Sequence, residues 1–247
     1  MNTYGLTFIS DEDLFSHVLN TVKKYKFNID LKAFNKNLID PIKLTFDAKI
    51  YGKTVEELID SEVIRQIDRS NSNLIGYFQQ NIFNYIGEGW TVPKTGYDIV
   101  NEDLLYFVEM KNKHNTMNSS SSQKTFMRMQ NTLLQTPDAT CMLVEVIAKK
   151  SQNINWKISL DGKSIENERI KRVSIDKFYE LVTGEAEAFK NLCEVLPSVI
   201  ADAVNSLDNT TQSNTVFAEL QAISPNLLKS IYLLSFQKYE GFHQLDV

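Results

Sequence analysis

Between Gly96 and Arg128 the chain reads GYDIVNEDLLYFVEMKNKHNTMNSSSSQKTFMR, and this run constrains the fold more than any other. An apolar strand, Leu104 to Val108, ends in Glu109-Met110-Lys111. Residues two apart on a strand point to the same side, so Glu109 and Lys111 share a face. A carboxylate and an ammonium ending an apolar strand are costly to bury unless they are paired or bind something. Asp98 stands at the start of a preceding strand, and a polar turn, Asn101-Glu102-Asp103, lies between the two. A hairpin there brings a second carboxylate towards the first. Two converging carboxylates with a lysine beside them are the parts needed to hold Mg²⁺ and a water next to a phosphate.

The residues leave the hairpin register open. A three-residue turn leaves Glu109 roughly 10 Å beyond the partner of Asp98. A four-residue turn over residues 102–105 puts Asp98 directly opposite Glu109, and strand twist or a bulge also closes the gap.

With 247 residues the chain is long enough for one large core or a core with an appended subdomain. No apolar run approaches the 18 or so residues of a membrane span, and the N-terminus lacks a basic-then-apolar signal. Cys141 and Cys193 make neither a disulfide framework nor a zinc site, so a reducing cytoplasm is the expected setting. A net charge of −5 argues against non-specific coating of nucleic acid. The average hides an asymmetry: from Met110 to Pro137 there is no Asp or Glu, while Lys111, Lys113, Lys124 and Arg128 are positive. A basic, hydroxyl- and amide-rich surface beside a carboxylate site suits a polyanion held near a metal.

Helical signals open the chain. Ser10-Asp11-Glu12-Asp13 starts one helix, and Leu31 to Ile39 forms a second that stops at Asp40-Pro41. A capping box at Thr54 to Glu57 starts a third, ending near Ile67. A further helix from Ser72 to Ile86 has Leu74, Ile75, Phe78, Ile82 and Tyr85 on one stripe, with Gln79 at its edge as a supporting polar residue. Asn112 to Gln123 has no helix or strand period, and a helix follows from Lys124 to about Leu134. Thr140 to Ile147 reads as a buried strand, and Asn155 to Leu160 as another with its turn at Asp161-Gly162. The last third reads as helices: Ser174 to Thr183, Glu185 to Ser206, and a start at Ser224-Pro225 running to about Tyr239, with Gly241 as its cap. Asp208 to Thr215 is a polar connector. Trp90 and Trp156 are packing residues, and His17 and His243 have no visible partners. The division expected is an N-terminal helical region (1–70), a core (71–165) and a C-terminal helical region (166–247).

Asp98 followed by Glu109-x-Lys111 in a helix–strand–hairpin–helix–strand context resembles the PD-(D/E)xK nuclease superfamily. The dipeptide before the acid is Tyr97-Asp98 in place of the usual Pro-Asp. The longer runs TGYDIVN and YFVEMKNKHNTMNSSSSQKT are similar to the bacterial type II restriction endonucleases that recognise GGNCC. The resemblance implies an α/β (α+β) fold: a restriction-endonuclease-like core with a central mixed β-sheet flanked by helices, plus N- and C-terminal helical regions. It implies a Mg²⁺-dependent homodimer that cuts double-stranded DNA and leaves 5′-phosphates, with a cognate cytosine methyltransferase as its genetic partner and no membrane association. Asp98 and Glu109 would be metal ligands with the Met110 carbonyl as a third oxygen. Lys111 would orient or deprotonate the attacking water, and Gln79 would support the centre. DNA contacts would come from Lys113, His114, Asn115, Asn118, Ser119, Ser121, Gln123, Lys124 and Arg128, with Lys or Arg suited to guanine and Asn or Gln to adenine. Competing readings are a repair or junction-resolving nuclease of the same superfamily and a catalytically silent DNA-binding module.

Overall fold

The computed structural model describes residues 3–114, 116–207 and 215–236. The chain divides into two compact units, one of Met1–Lys23 with Ile75–Leu207, the other of Lys24–Leu74 with Asp208–Val247.

The first unit is built on a six-stranded mixed sheet ordered β1-β2-β3-β4-β6-β5. Its strands are β1 (Trp90–Thr91), β2 (Ile99–Asn101), β3 (Tyr106–Lys113), β4 (Thr140–Ile147), β5 (Asn153–Leu160) and β6 (Lys163–Ser174). β3, β4 and β6 run parallel, while β1–β2, β2–β3 and β5–β6 are antiparallel. A parallel pair needs a crossover, and α5 (Ser119–Gln135) supplies it between β3 and β4. β4 is the buried strand its apolar run predicts, with Cys141 to Val144 buried on both faces of the sheet.

Side-chain alternation separates two hydrophobic layers. Val108, Met110, Met142, Val144 and Val173 pack with Phe78, Ile82 and Phe83 from α4 (Val55–Asn81) and the 3-10 turn after it. Leu14 and Val18 of α1 (Asp11–Lys24), Phe178 and Tyr179 of α6 (Ile175–Thr183), and Leu192 and Val199 of α7 (Ala188–Asn205) complete that layer. On the other face, Phe126, Met129 and Leu133 of α5 pack on Cys141, Leu143, Trp156 and Ile170. Trp90 and Trp156 are both buried packing residues.

Local chemistry sets the helix ends. Ser10 Oγ accepts the Asp13 amide at 3.0 Å at the start of α1, and Gly184, with φ of 77°, ends α6 in the left-handed conformation that costs glycine little. Three expectations within this unit need correcting. α5 begins at Ser119, five residues before Lys124, because Asn118 caps it through an acceptor bond from the Ser121 amide at 2.8 Å. The segment Lys163–Ser174, not expected as a strand, is β6, the longest in the sheet. A bulge between the Asn155 and Lys157 pairings breaks its period-two alternation, so apolar residues do not recur on one face. His17 is also partnered: it is buried, stacks on Phe78, and its Nε2 lies 2.9 Å from the Phe78 carbonyl.

The second unit packs Ile29, Phe34, Ile59, Val63, Val216, Leu220 and Ile231 into its own core. Here Asp40-Pro41 starts a helix instead of ending one. Asp40 accepts the Ile42 and Lys43 amides, and Pro41 occupies the first helical position of α3 (Pro41–Tyr51), where its missing N–H costs nothing. The helix before it, α2, is only Leu31–Phe34. The capping box at Thr54 forms as expected, with Glu57 Oε2 2.8 Å from the Thr54 amide. The helix it opens does not stop near Ile67; α4 is a single helix of 27 residues. The polar run Asp68 to Asn73 stays helical because Asn71, buried at its centre, makes two 2.9 Å bonds to the backbone of Lys26. α8 (Val216–Ile223) was not expected, and α9 (Leu227–Ser235) starts from Asn226, whose side chain accepts the Lys229 amide, not from Ser224-Pro225. The connector residues 208–214, the helix end near Tyr239, the Gly241 cap and His243 lie outside the described residues.

Candidate active site

The β2–β3 hairpin decides where the carboxylates stand. Ile99 pairs with Val108 and Asn101 with Tyr106, so the turn is residues 102–105, and one residue beyond the Ile99 pair this register brings Asp98 beside Glu109. Of the two registers open to the sequence, this is the one that joins the acids. The turn is held from inside: Asn101 Oδ1 accepts the Leu104 amide at 3.0 Å, and Asn101 Nδ2 donates to the Glu88 carbonyl at 3.0 Å. Leu105 closes it at φ of 55°, an uncommon conformation for a leucine. Asp98 is then tied twice to β3. Its amide donates to the Val108 carbonyl at 2.9 Å, and its Oδ2 accepts the Met110 amide at 2.8 Å.

Glu109 and Lys111 point towards α5, on the sheet face opposite Val108 and Met110. Lys111 Nζ donates to Glu109 Oε1 at 2.7 Å, and Arg128 Nη2 of α5 donates to Glu109 Oε2. Each Glu109 oxygen therefore carries a cation. The Arg128 guanidinium also lies over the Tyr97 ring, 4.4 Å from its centroid. Tyr97 is fixed by its hydroxyl, 2.8 Å from Thr132 Oγ1, one turn further along α5.

Burial raises the Asp98 pKa; the Met110 N–H opposes the rise and the neighbouring Glu109 charge adds to it. Ionised Asp98 is thus under-compensated, although Lys111 and Arg128 both act to lower its pKa. Nearby, Lys111 is in register with Glu145 of β4, which is almost wholly buried and takes two bonds from Arg172 of β6, at 3.0 and 2.6 Å. Arg172 Nη2 also donates to the His114 carbonyl at 3.2 Å, fixing the chain where it leaves β3. Sequence reasoning missed this pair and the Arg128–Glu109–Tyr97 contact. The signal for the first was Glu145 itself, a carboxylate inside an apolar strand that has to find a cation.

The remaining candidates are spread over the same face and beyond it. Lys113, at the end of β3, and Lys124 and Arg128, on α5, are exposed. Ser119 and Ser121 are exposed in the first turn of α5, while Asn118 is its cap. Gln123 Nε2 donates to the Ser159 carbonyl at 2.7 Å, and His114 Nδ1 sits 3.4 Å from the Ile147 carbonyl. Asn115 lies outside the described residues. Met110 has its side chain in the core and its amide on Asp98. Gln79 is on α4, whose Gly76 faces the Asn112 side chain on the Met110 side of β3, and its Oε1 is buried without a hydrogen-bond partner among the described residues. Among the described residues no group of three or more His, Cys, Asp or Glu gathers, so any metal here rests on a pair of carboxylates.

A hairpin opposing two carboxylates, a lysine two residues after the second, and a helix crossing to a parallel strand define the core of a PD-(D/E)xK nuclease. A family model described as Eco47II restriction endonuclease matches residues 6–205. The type II restriction enzyme Sau96I of Staphylococcus aureus is 34% identical over 234 residues, covering 89% of each chain. The type II restriction enzyme Eco47II of Escherichia coli is 31% identical over 210 residues, covering 79% of this chain and 86% of its own length. The chain belongs to the Eco47II restriction endonuclease family and is a type II restriction endonuclease.

Proposed function

We propose that this enzyme hydrolyses both strands of duplex DNA at the palindrome GGNCC, with Mg²⁺, leaving 5′-phosphates. The observation that carries the reading is Asp98 set opposite Glu109 with Lys111 Nζ on Glu109 Oε1. The donor set fits the ion. Two hard carboxylates without His or Cys suit Mg²⁺, which takes few protein oxygens and keeps several waters. Burial disfavours the ionised form of Asp98, and a divalent cation would favour it. Asp98 and Glu109 would hold it, with the Met110 carbonyl as a further oxygen. Bound there, Mg²⁺ supplies an acidified water and charge stabilisation at the phosphate.

The chain's own groups do the rest. Lys111 holds a proton at Nζ beside the carboxylates, orients the attacking water and offsets the charge that builds on the phosphate oxygens. The Asp98–Met110 bond keeps the first carboxylate in place without Lys111 or Arg128. Lys113, Lys124 and Arg128, with the hydroxyls of Ser119 and Ser121, supply phosphate and groove contacts. Gln79 would act only as a supporting residue, from the helix behind β3. A two-fold target asks for a two-fold protein, so the active species is a homodimer with one centre per strand. A cognate cytosine methyltransferase protects the host chromosome. Both described cysteines are free thiols, in keeping with work in the cytoplasm.

The test is digestion of plasmid DNA with and without Mg²⁺, comparing wild type with Asp98→Ala and Lys111→Ala. Mg²⁺-dependent fragments ending at GGNCC, lost in both variants, are expected. Discrete fragments at another sequence would keep the mechanism and discard the site. Cleavage without sequence preference would favour a repair nuclease, and binding without cleavage a silent module.

A further inference from the structure

Arg128 stands at the centre of the site, although the motif does not name it. Its Nη2 occupies Glu109 Oε2 while Lys111 occupies Oε1, and its guanidinium plane rests on the Tyr97 ring. Tyr97 directly precedes Asp98, so the arginine bridges the two strands that carry the acids. Glu109 is nearly buried at 13% exposure, whereas Arg128 is 41% exposed.

We propose that Arg128 exchanges anions during the reaction cycle: it holds Glu109 in the free enzyme and the phosphate to be cut in the DNA complex. The inference rests on the metal-and-phosphate reading of Asp98, Glu109 and Lys111. A divalent ion arriving at Glu109 meets two cations already on its oxygens, and the repulsion among them favours the departure of one. Lys111 is on the same strand two residues away. Arg128 reaches in from another element and is the more exposed, so it is the one to leave. A displaced guanidinium needs another anion, and its planar fork matches phosphate oxygens in pairs. The Tyr97 ring keeps it within reach while it changes partner. Divalent ion and DNA then help each other bind, and by linkage the gain is the same in both directions. Arg128 would also offset in the free enzyme the second acidic charge that Lys111 alone leaves at the acid pair, and would keep the ion weakly held until DNA is present.

The test titrates Mn²⁺ into wild type, Arg128→Ala, Arg128→Gln, Lys190→Ala and Asp98→Ala, reading free Mn²⁺ by electron paramagnetic resonance. Each titration is run with and without a short duplex containing one GGNCC site. Without DNA, Arg128→Ala and Arg128→Gln are expected to bind Mn²⁺ about five- to tenfold more tightly than wild type, a coupling of the usual allosteric size. Lys190→Ala, at an exposed lysine of α7 outside the site, should match wild type. The gain in Mn²⁺ affinity that DNA confers should shrink in both Arg128 variants by a similar factor. If Mn²⁺ binds, needs Asp98, and is indifferent to Arg128, the exchange is overturned and the site reading stands. If no Mn²⁺ binding depends on Asp98, both fall together.

Discussion

Asp98 shows a conflict between what folding favours and what the chemistry needs. Its pKa is raised in the folded protein, so the native state binds the proton more readily than the unfolded chain does. The sign follows: this carboxyl contributes less to stability as pH rises through its folded pKa, and its ionised form is the costly one. Asp98→Asn keeps an acceptor for the Met110 amide and removes the buried charge. It should leave the thermal midpoint unchanged or higher at pH 7.5, while cleavage falls on the order of 10³-fold or more, the equivalent of several kcal/mol of lost metal assistance. Calorimetry beside a single-turnover cleavage assay checks both halves, and a lower midpoint would remove the stability argument. His17 works in the other direction. Burial lowers its pKa from the ordinary 6.5, with the Phe78 carbonyl only partly opposing, so stability is complete above 6.5 and is lost as pH falls below it. Unfolding free energies from urea titrations should fall between pH 7.5 and 5.5 more for wild type than for His17→Gln, by at most about 1.4 kcal/mol per pH unit. Tyr179 is fully buried, and its hydroxyl has no partner among the described residues. Tyr179→Phe should therefore stabilise by about 1 kcal/mol or more, read as a higher denaturation midpoint.

At the scale of elements, α5 makes the site a joint product of helix and sheet, because Arg128 and Thr132 both act from it. Asn118→Ala removes its cap and should cost about 1 kcal/mol of stability. DNA affinity should weaken with it as the first turn frays, and amide exchange at residues 119–122 would report the fraying directly. The elements also show what a sequence can and cannot disclose. β4, α1 and α6 were legible because an apolar run, a capping serine and a terminal glycine are local signals. Asp98, Glu109 and Lys111 were legible as a set because alternation and a single hairpin connect them. The hairpin register was not, since it depends on Asn101 bonding both ways inside the turn. β6 was hidden by its bulge, α8 by its shortness, and the unbroken course of α4 by Asn71, whose partner Lys26 is 45 residues away. Arg128 was read as a groove contact because nothing local to α5 says that Glu109 lies within its reach.

Across the whole molecule, a net charge of −5 coexists with an acid-free run over the end of β3 and α5 that holds Lys111, Lys113, Lys124 and Arg128. Binding to DNA should therefore be strongly salt-dependent, and Lys124→Ala should reduce the slope of log K against log salt by about 0.9 if it neutralises one phosphate. Fluorescence anisotropy with Ca²⁺ in place of Mg²⁺ measures it, and an unchanged slope would remove Lys124 from the interface. No described helix is long and apolar enough to cross a membrane. The sheet has unequal borders: β1 is two residues long, whereas β5 offers eight, with no strand on its outer side among the described residues. An open row of amides that long is a template on which strands of other molecules can add, and the usual defences are a kink and a charge. Both are present here, in the irregularity between Asn155 and Lys157 and in Lys157 itself, paired with Glu166 across the ribbon. The shelf life of this enzyme at high concentration is thus guarded at a place remote from its chemistry. Lys157→Val should raise light scattering on storage and leave cleavage by the fresh protein intact.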